Sequence, residues 1–269
     1  MKCLCGTIQS KHLFQAGKYP IVACLVCGQV RTVTPKGISR KQVYQAEDVT
    51  IYIEKEQIFR RLFADVVTFI RQFKTSGTLI DIGAGVGLLV DEAKIAGFDA
   101  IGFEPSKEMV KAAKKEFGIE LIPKKFHKAT PCKRQGSGLE NTKTGIDIVV
   151  INHVLEHLPN PLDVIRDIRS ALVKNGLLVI GVPNFGSFLA IWKKSRWQSL
   201  IPDQHRWHFT IQSLDRLIQP LGFIRIGMRQ DNHDRSMHPW WKRPAYWMLD
   251  LIAVLTGRAE AMLVVYQKI

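Results

Sequence analysis

The residues with the most chemical potential stand in the run Asp81-Ile82-Gly83-Ala84-Gly85-Val86-Gly87, where an acid precedes three alternate glycines. Glycines let the chain turn sharply and bring backbone N–H groups close to a ligand, and a helix starting there adds its own unpaired N–H groups. Glu104 follows in Gly102-Phe103-Glu104-Pro105, at the spacing where a carboxylate can accept both hydroxyls of a ribose. An acid beside the glycines repels a pyrophosphate but attracts an ammonium. These residues therefore suit a nucleoside with an amino-acid tail better than a dinucleotide.

A second group is made of thiols. Four of the five cysteines lie in Cys3-x-Cys5-Gly and Cys24-x-x-Cys27-Gly. Two Cys-Gly turns joined by a hairpin supply four thiolates, the donor set of a structural zinc. The first pair is one residue shorter than the usual knuckle, which leaves His12 as a substitute ligand and keeps open reduced thiols or a redox pair. Cys132, far from the others, reads as a plain thiol.

The third group is made of histidines: His153 and His157, four apart, and His205 and His208, three apart. An imidazole near neutral pKa can orient an acceptor or take its proton. The competing reading is structural, with His157 bonded to backbone at a helix start and His208 packed beside Trp207 and Phe209. No further carboxylate is spaced along the chain to complete a metal site from these histidines.

The elements that must position these groups alternate along the chain. Apolar residues at three- and four-residue spacing predict a helix over 54–73, then a buried strand over 78–82, a helix over 88–96, a strand over 100–103 and a helix over 107–117. Strands over 119–122 and 146–151, a helix over 162–172, a strand over 177–182, a helix over 211–220 and strands over 223–228 and 262–267 follow. Strands joined through helices give a mostly parallel sheet covered on both faces, so the class is α/β, doubly wound. We divide the chain into a cysteine module over 1–37, a linker and helix over 38–76, and a main domain over 77–269 with a helical insertion near 229–260.

Five segments in order resemble class I S-adenosylmethionine-dependent methyltransferases of the quinone-biosynthesis-like, small-molecule type. They are the acid-glycine run, the Glu104 segment, Asp147 to Pro161, Val173 to Asn184, and Gln204-His205-Arg206-Trp207-His208-Phe209-Thr210. The resemblance covers most of residues 78–269 and implies a Rossmann-like sheet. It also implies that Asp81, Gly83, Ala84, Gly85 and Gly87 hold the amino-acid end of S-adenosylmethionine, that Glu104 and Pro105 border its ribose, and that Asn152 lies beside the transferred methyl. N-terminal cysteine modules also occur in that family. The Asp or Asn that the family offers to adenine after the third strand is replaced by Ile122-Pro123-Lys124, which leaves adenine contacts unassigned. Asn152-His153-Val154-Leu155 stands where enzymes that methylate exocyclic amines of bases carry asparagine-proline-proline-aromatic, which disfavours that chemistry.

Composition narrows the partners. The chain has 269 residues and a net charge of +14, and it is 46% hydrophobic, enough for one sizeable core plus an appendage. The positive balance favours anionic partners without choosing among them. The start carries no apolar signal segment and no apolar run reaches the roughly 20 residues of a membrane span, so a cytoplasmic protein without a transmembrane segment is expected. Residues 123–145 carry six Lys or Arg against one acid and read as a solvated basic loop. Met237 to Pro244, with Trp240 and Trp241, followed by an apolar helix over 245–256, reads as a substrate lid, a peripheral membrane contact or a packed helix. The expected acceptor is a small-molecule, sugar or glycolipid-precursor hydroxyl. The alternatives are a ribosomal or transfer RNA methyltransferase with a zinc module, and a non-catalytic binding protein on the same fold.

Overall fold

A computed structural model describes residues 2–38, 46–127, 145–231, 248, 250–253 and 255–269. Cys132, most of the 123–145 loop, and the Met237-to-Pro244 segment with Trp240, Trp241 and Trp247 lie outside them.

The central sheet has six strands in the order β5-β4-β6-β7-β10-β9. These are β4 (Thr78–Ile82), β5 (Asp99–Phe103), β6 (Ile146–Asn152), β7 (Leu172–Pro183), β9 (Phe223–Asp231) and β10 (Ala261–Lys268). The first four are parallel, whereas β10 runs antiparallel between β7 and β9. In β4, Leu79 faces one side with helices α2 (Glu56–Arg71) and α3 (Leu88–Ile95), while Ile80 and Ile82 face the other with α5 (Pro161–Ala171) and α7 (Ile211–Ile218). That period of two explains why the central strands read as continuous apolar runs: each has helices on both sides. The expected mostly parallel α/β sheet is what forms.

Some boundaries differ from the sequence reading. The helix expected over 54–73 breaks at Lys55, so that α1 (Ala46–Glu54) precedes α2 as a separate piece. The strand expected over 119–122 reduces to one parallel bridge between Ile122 and Phe103, because Ile119 turns to pack with Met109 and Val86 beside α4 (Lys107–Phe117). β7 begins at Leu172, five residues early, and absorbs the Lys174-Asn175-Gly176 turn as a register shift against β6.

The N-terminal residues form a second sheet, β1 (Ser10–Ala16), β2 (Tyr19–Cys24) and β3 (Val30–Thr32), all antiparallel. Its fourth strand comes from far along the chain: β8 (Trp207–His208) pairs with β3. Ile21, Ala23 and Val30 bury against Leu189 and Ala190 of α6 (Phe188–Lys193) and against Trp197 and Leu200. The cysteine hairpin thus shares a sheet and an apolar cluster with the segment that carries His205 and His208.

Candidate active site

The glycine run leaves β4 and returns to the sheet end through backbone bonds: the N–H groups of Gly83 and Ala84 both donate to the Phe103 carbonyl, at 2.8 and 3.1 Å. Gly83 has φ +76°, and a Cβ there would lie 2.4 Å from Val154, so only glycine fits. A Cβ on Gly85 would instead stand 3.5 Å from the Tyr52 hydroxyl, which places α1 across the outside of the loop. Sequence reasoning missed Tyr52, which stands before the helix expected to begin at residue 54 and lies instead in α1.

Glu104 is fully buried at the end of β5. One carboxylate oxygen accepts from Gly85 N–H at 3.0 Å and the other from Ser106 N–H at 2.7 Å. Burial pushes its carboxyl up, partly offset by those two bonds. Asp81 is also buried, and burial together with the Glu104 charge raises its carboxyl to about 7. Two adjoining carboxyls that resist ionisation make an unfavourable pair unless a cation joins them. Pro105 is exposed beside Glu104, and Asn152 is half-buried at the end of β6, its side chain lying where a Cβ on Gly181 would sit.

The histidines divide. His153 follows Asn152 with φ +55°, a conformation few non-glycine residues adopt, and its N–H donates to Gly181 O at 2.8 Å. The chain then makes a short 3-10 turn, Leu155–His157. His157 and His205 meet edge to face with ring centroids 4.7 Å apart. His208 turns toward the cysteine hairpin instead, where Thr32 Oγ1 is 2.8 Å from its Nε2 and the Gln29 side chain donates to its carbonyl. Arg206 N–H donates to Glu156 O, and Trp207 Nε1–H donates to Leu158 O, which fastens the pre-β8 segment to the turn after β6.

Glu156 is the residue that sequence reasoning overlooked. It is 1% exposed and stands between His153, His157 and His205. Burial pushes its carboxyl up, but the His153 contact and the neighbouring imidazoles outweigh this and hold it below the usual range. His205 is driven down to about 4, chiefly by burial, so its ring is neutral at pH 7. Spacing along the chain offers no carboxylate to join the histidines, but in space Glu156, next to His157 in sequence, stands with His157 and His205.

The four thiols also converge. Cys3 and Cys27 Sγ are 3.5 Å apart, Cys5 and Cys24 Sγ are 3.6 Å apart, and all four lie within 4.8 Å of one another. His12 stays on β1, opposite Val22, outside this cluster. Burial raises the Cys24 thiol, but N–H groups of Cys27 and Val26 pointing at its sulfur bring it down to about 6.

A family model described as a methyltransferase domain matches residues 54–224, which takes in the glycine loop, Glu104 and the histidine turn. The chain belongs to this methyltransferase family. An uncharacterized protein of Methanocaldococcus jannaschii is 25% identical over 69% of the chain and 82% of its own length. A ubiquinone biosynthesis O-methyltransferase of Colwellia psychrerythraea is 27% identical over 54% of the chain, and the match spans 56% of that relative. Among solved structures, a SAM-dependent methyltransferase from Archaeoglobus fulgidus aligns with a TM-score of 0.54 at 18% identity, covering 81% of this chain and 99% of that one. The plantazolicin methyltransferase BamL, solved in complex with SAH, aligns at 0.54 and 15% identity over 82% and 90%. The present methyltransferase is S-adenosylmethionine-dependent. No described helix of it is long and apolar enough to cross a membrane.

Proposed function

We propose that this methyltransferase methylates a hydroxyl of a small molecule, sugar or lipid precursor. The observation that carries the reading is the Asp81–Glu104 pair at the glycine loop, next to a turn rich in imidazoles. Asp81 attracts the ammonium of the amino-acid tail, and the turn through Gly83, Ala84, Gly85 and Gly87 lets the backbone approach that tail closely. Glu104 has lone pairs left for ribose hydroxyls after accepting from Gly85 and Ser106, and Pro105 borders that ribose. S-adenosylmethionine supplies an electrophilic methyl on a sulfonium, so the chain needs no nucleophile of its own. What it must do is hold the acceptor in line, and Asn152, His153 and His157 sit on the β6 end where that is done. His205, neutral and buried, orients better than it removes protons. The ubiquinone biosynthesis relatives support a hydroxyl acceptor.

The thiol cluster fits a structural zinc. A tetrahedral ion with Zn–S near 2.3 Å holds its sulfurs about 3.8 Å apart, close to the two spacings here. A Cys24 thiol near 6 is ready to serve as a thiolate ligand. Exposed Ile191, Trp192, Leu251 and Leu255 beside Lys194, Arg196 and Arg258 support peripheral contact with an anionic membrane carrying the acceptor.

The acceptor is tested by incubating the protein with methyl-labelled cofactor and fractionated cell extract. Label should enter a small or lipid-soluble product. Label entering RNA, with steep salt dependence, would overturn the hydroxyl reading in favour of a ribosomal or transfer RNA substrate, which the +14 charge would suit.

The acid pair also sets a pH dependence. Asp81 is protonated below about 7 and ionised above it, and only the carboxylate attracts an ammonium. Affinity for S-adenosylhomocysteine should therefore rise about tenfold between pH 6 and pH 8, measured by calorimetry. In Asp81→Asn the profile should flatten; a wild-type profile already flat would remove Asp81 from the tail site.

A further inference from the structure

We propose that Glu156, His157 and His205 form a binding site for a first-row divalent cation, separate from the cysteine cluster. One ligand atom from each lies within 4.8 Å of the others, close enough for a single ion to touch all three. The Glu156 carboxylate is the second, independent observation. It is 1% exposed, and neither of its oxygens has a hydrogen-bond partner. His153 Nδ1 approaches Oε1 only to 3.5 Å, beyond a normal hydrogen bond. A buried carboxylate whose two oxygens accept no hydrogen bond keeps its lone pairs free, and a cation among the three side chains would take them up.

The scaffold is set before any ion arrives. Arg206 N–H to Glu156 O and His205 N–H to Ile201 O, both 2.8 Å, fix the two backbones that carry the ligands. Two neutral imidazoles and one carboxylate are the donor set of catalytic zinc and of other divalent first-row metals, with positions left open for exogenous oxygen. Thiolates are absent from this set, so it does not compete with the cysteine cluster on equal terms. His153, about half exposed, stands 3.5 Å from Glu156 Oε1 at the edge of this group. Resting on the hydroxyl-acceptor reading, the open positions would take the acceptor oxygen and ease loss of its proton.

The test uses full-length protein whose cysteines are first loaded with Zn2+ and which is then desalted. Co2+ is titrated in, followed by visible absorption and calorimetry, with no methyl acceptor present. The expected result is one Co2+ per chain, with weak d–d bands and no thiolate charge-transfer band. Glu156→Gln and His205→Asn should each weaken it tenfold or more while keeping S-adenosylhomocysteine affinity. Should a variant lose that affinity through misfolding, the imidazole proton resonances of the wild type decide: those of His157 and His205 should shift paramagnetically with Co2+. No Co2+ uptake by the wild type, uptake unchanged in variants that keep S-adenosylhomocysteine affinity, or unshifted His157 and His205 resonances would overturn the site. Co2+ uptake with no methyl transfer to any hydroxyl would leave the cation site standing and sink the acceptor reading alone.

Discussion

Alanine in place of Glu104 should weaken S-adenosylhomocysteine binding by about a hundredfold, read by calorimetry. Hydrogen bonds to a charged group contribute roughly 1.5–3 kcal/mol each, and loss of two ribose contacts gives about 3 kcal/mol or more. The same carboxylate accepts from Gly85 and Ser106, so its removal also frees the loop that meets the amino-acid tail. Glu104→Gln separates the two effects. The amide oxygen can still accept from Gly85 N–H and hold the loop, while its NH2 meets Ser106 N–H, so the loss in affinity should shrink towards about tenfold without vanishing. A change below threefold in Glu104→Ala would mean that the ribose is held elsewhere and that the acid-glycine reading is mistaken.

Cys24→Ser should act at a distance. Cys24 is buried, its sulfur accepts two backbone N–H groups, and it stands at the end of β2 where the hairpin turns toward β3. Without it the hairpin should lose its zinc, measurable as metal content per chain, and residues 10–32 should lose protection in hydrogen exchange. The six-stranded sheet does not depend on the hairpin and should stay folded, with S-adenosylhomocysteine affinity within threefold of wild type. Turnover, however, should fall about tenfold or more, because β3 pairs with β8 and Gln29 and Thr32 hold His208, three residues from His205. Equal turnover in the zinc-free variant would reduce the hairpin to an appendage without influence on the acceptor side.

Local signals carried much of this protein in its sequence. Apolar periodicity is set by which faces a segment buries, and it gave β4, α3, β5, α4, β6 and α7 to within a residue or two. The glycine run and Cys-x-x-Cys were legible for the same reason, since a tight turn and a thiol pair are built by neighbours along the chain. Where a break has no composition signal, as at Lys55, or where α6 follows a short turn, periodicity was silent.

Tertiary structure decided what depends on distant residues. Gln29 and His208 are 179 positions apart, and no pattern in either segment announces that β8 completes the hairpin sheet. The antiparallel insertion of β10 between β7 and β9 is likewise a matter of packing order, not of strand propensity. Glu156 is the sharpest case. In sequence it is one charged residue before a histidine, normally solvated; only when the Arg206 and Trp207 bonds draw the pre-β8 segment onto the 3-10 turn does it become a buried carboxylate facing His205. Sequence specifies which groups exist and which turns they sit on, whereas burial and convergence, which set their charge and chemistry, arise only when long-range contacts close.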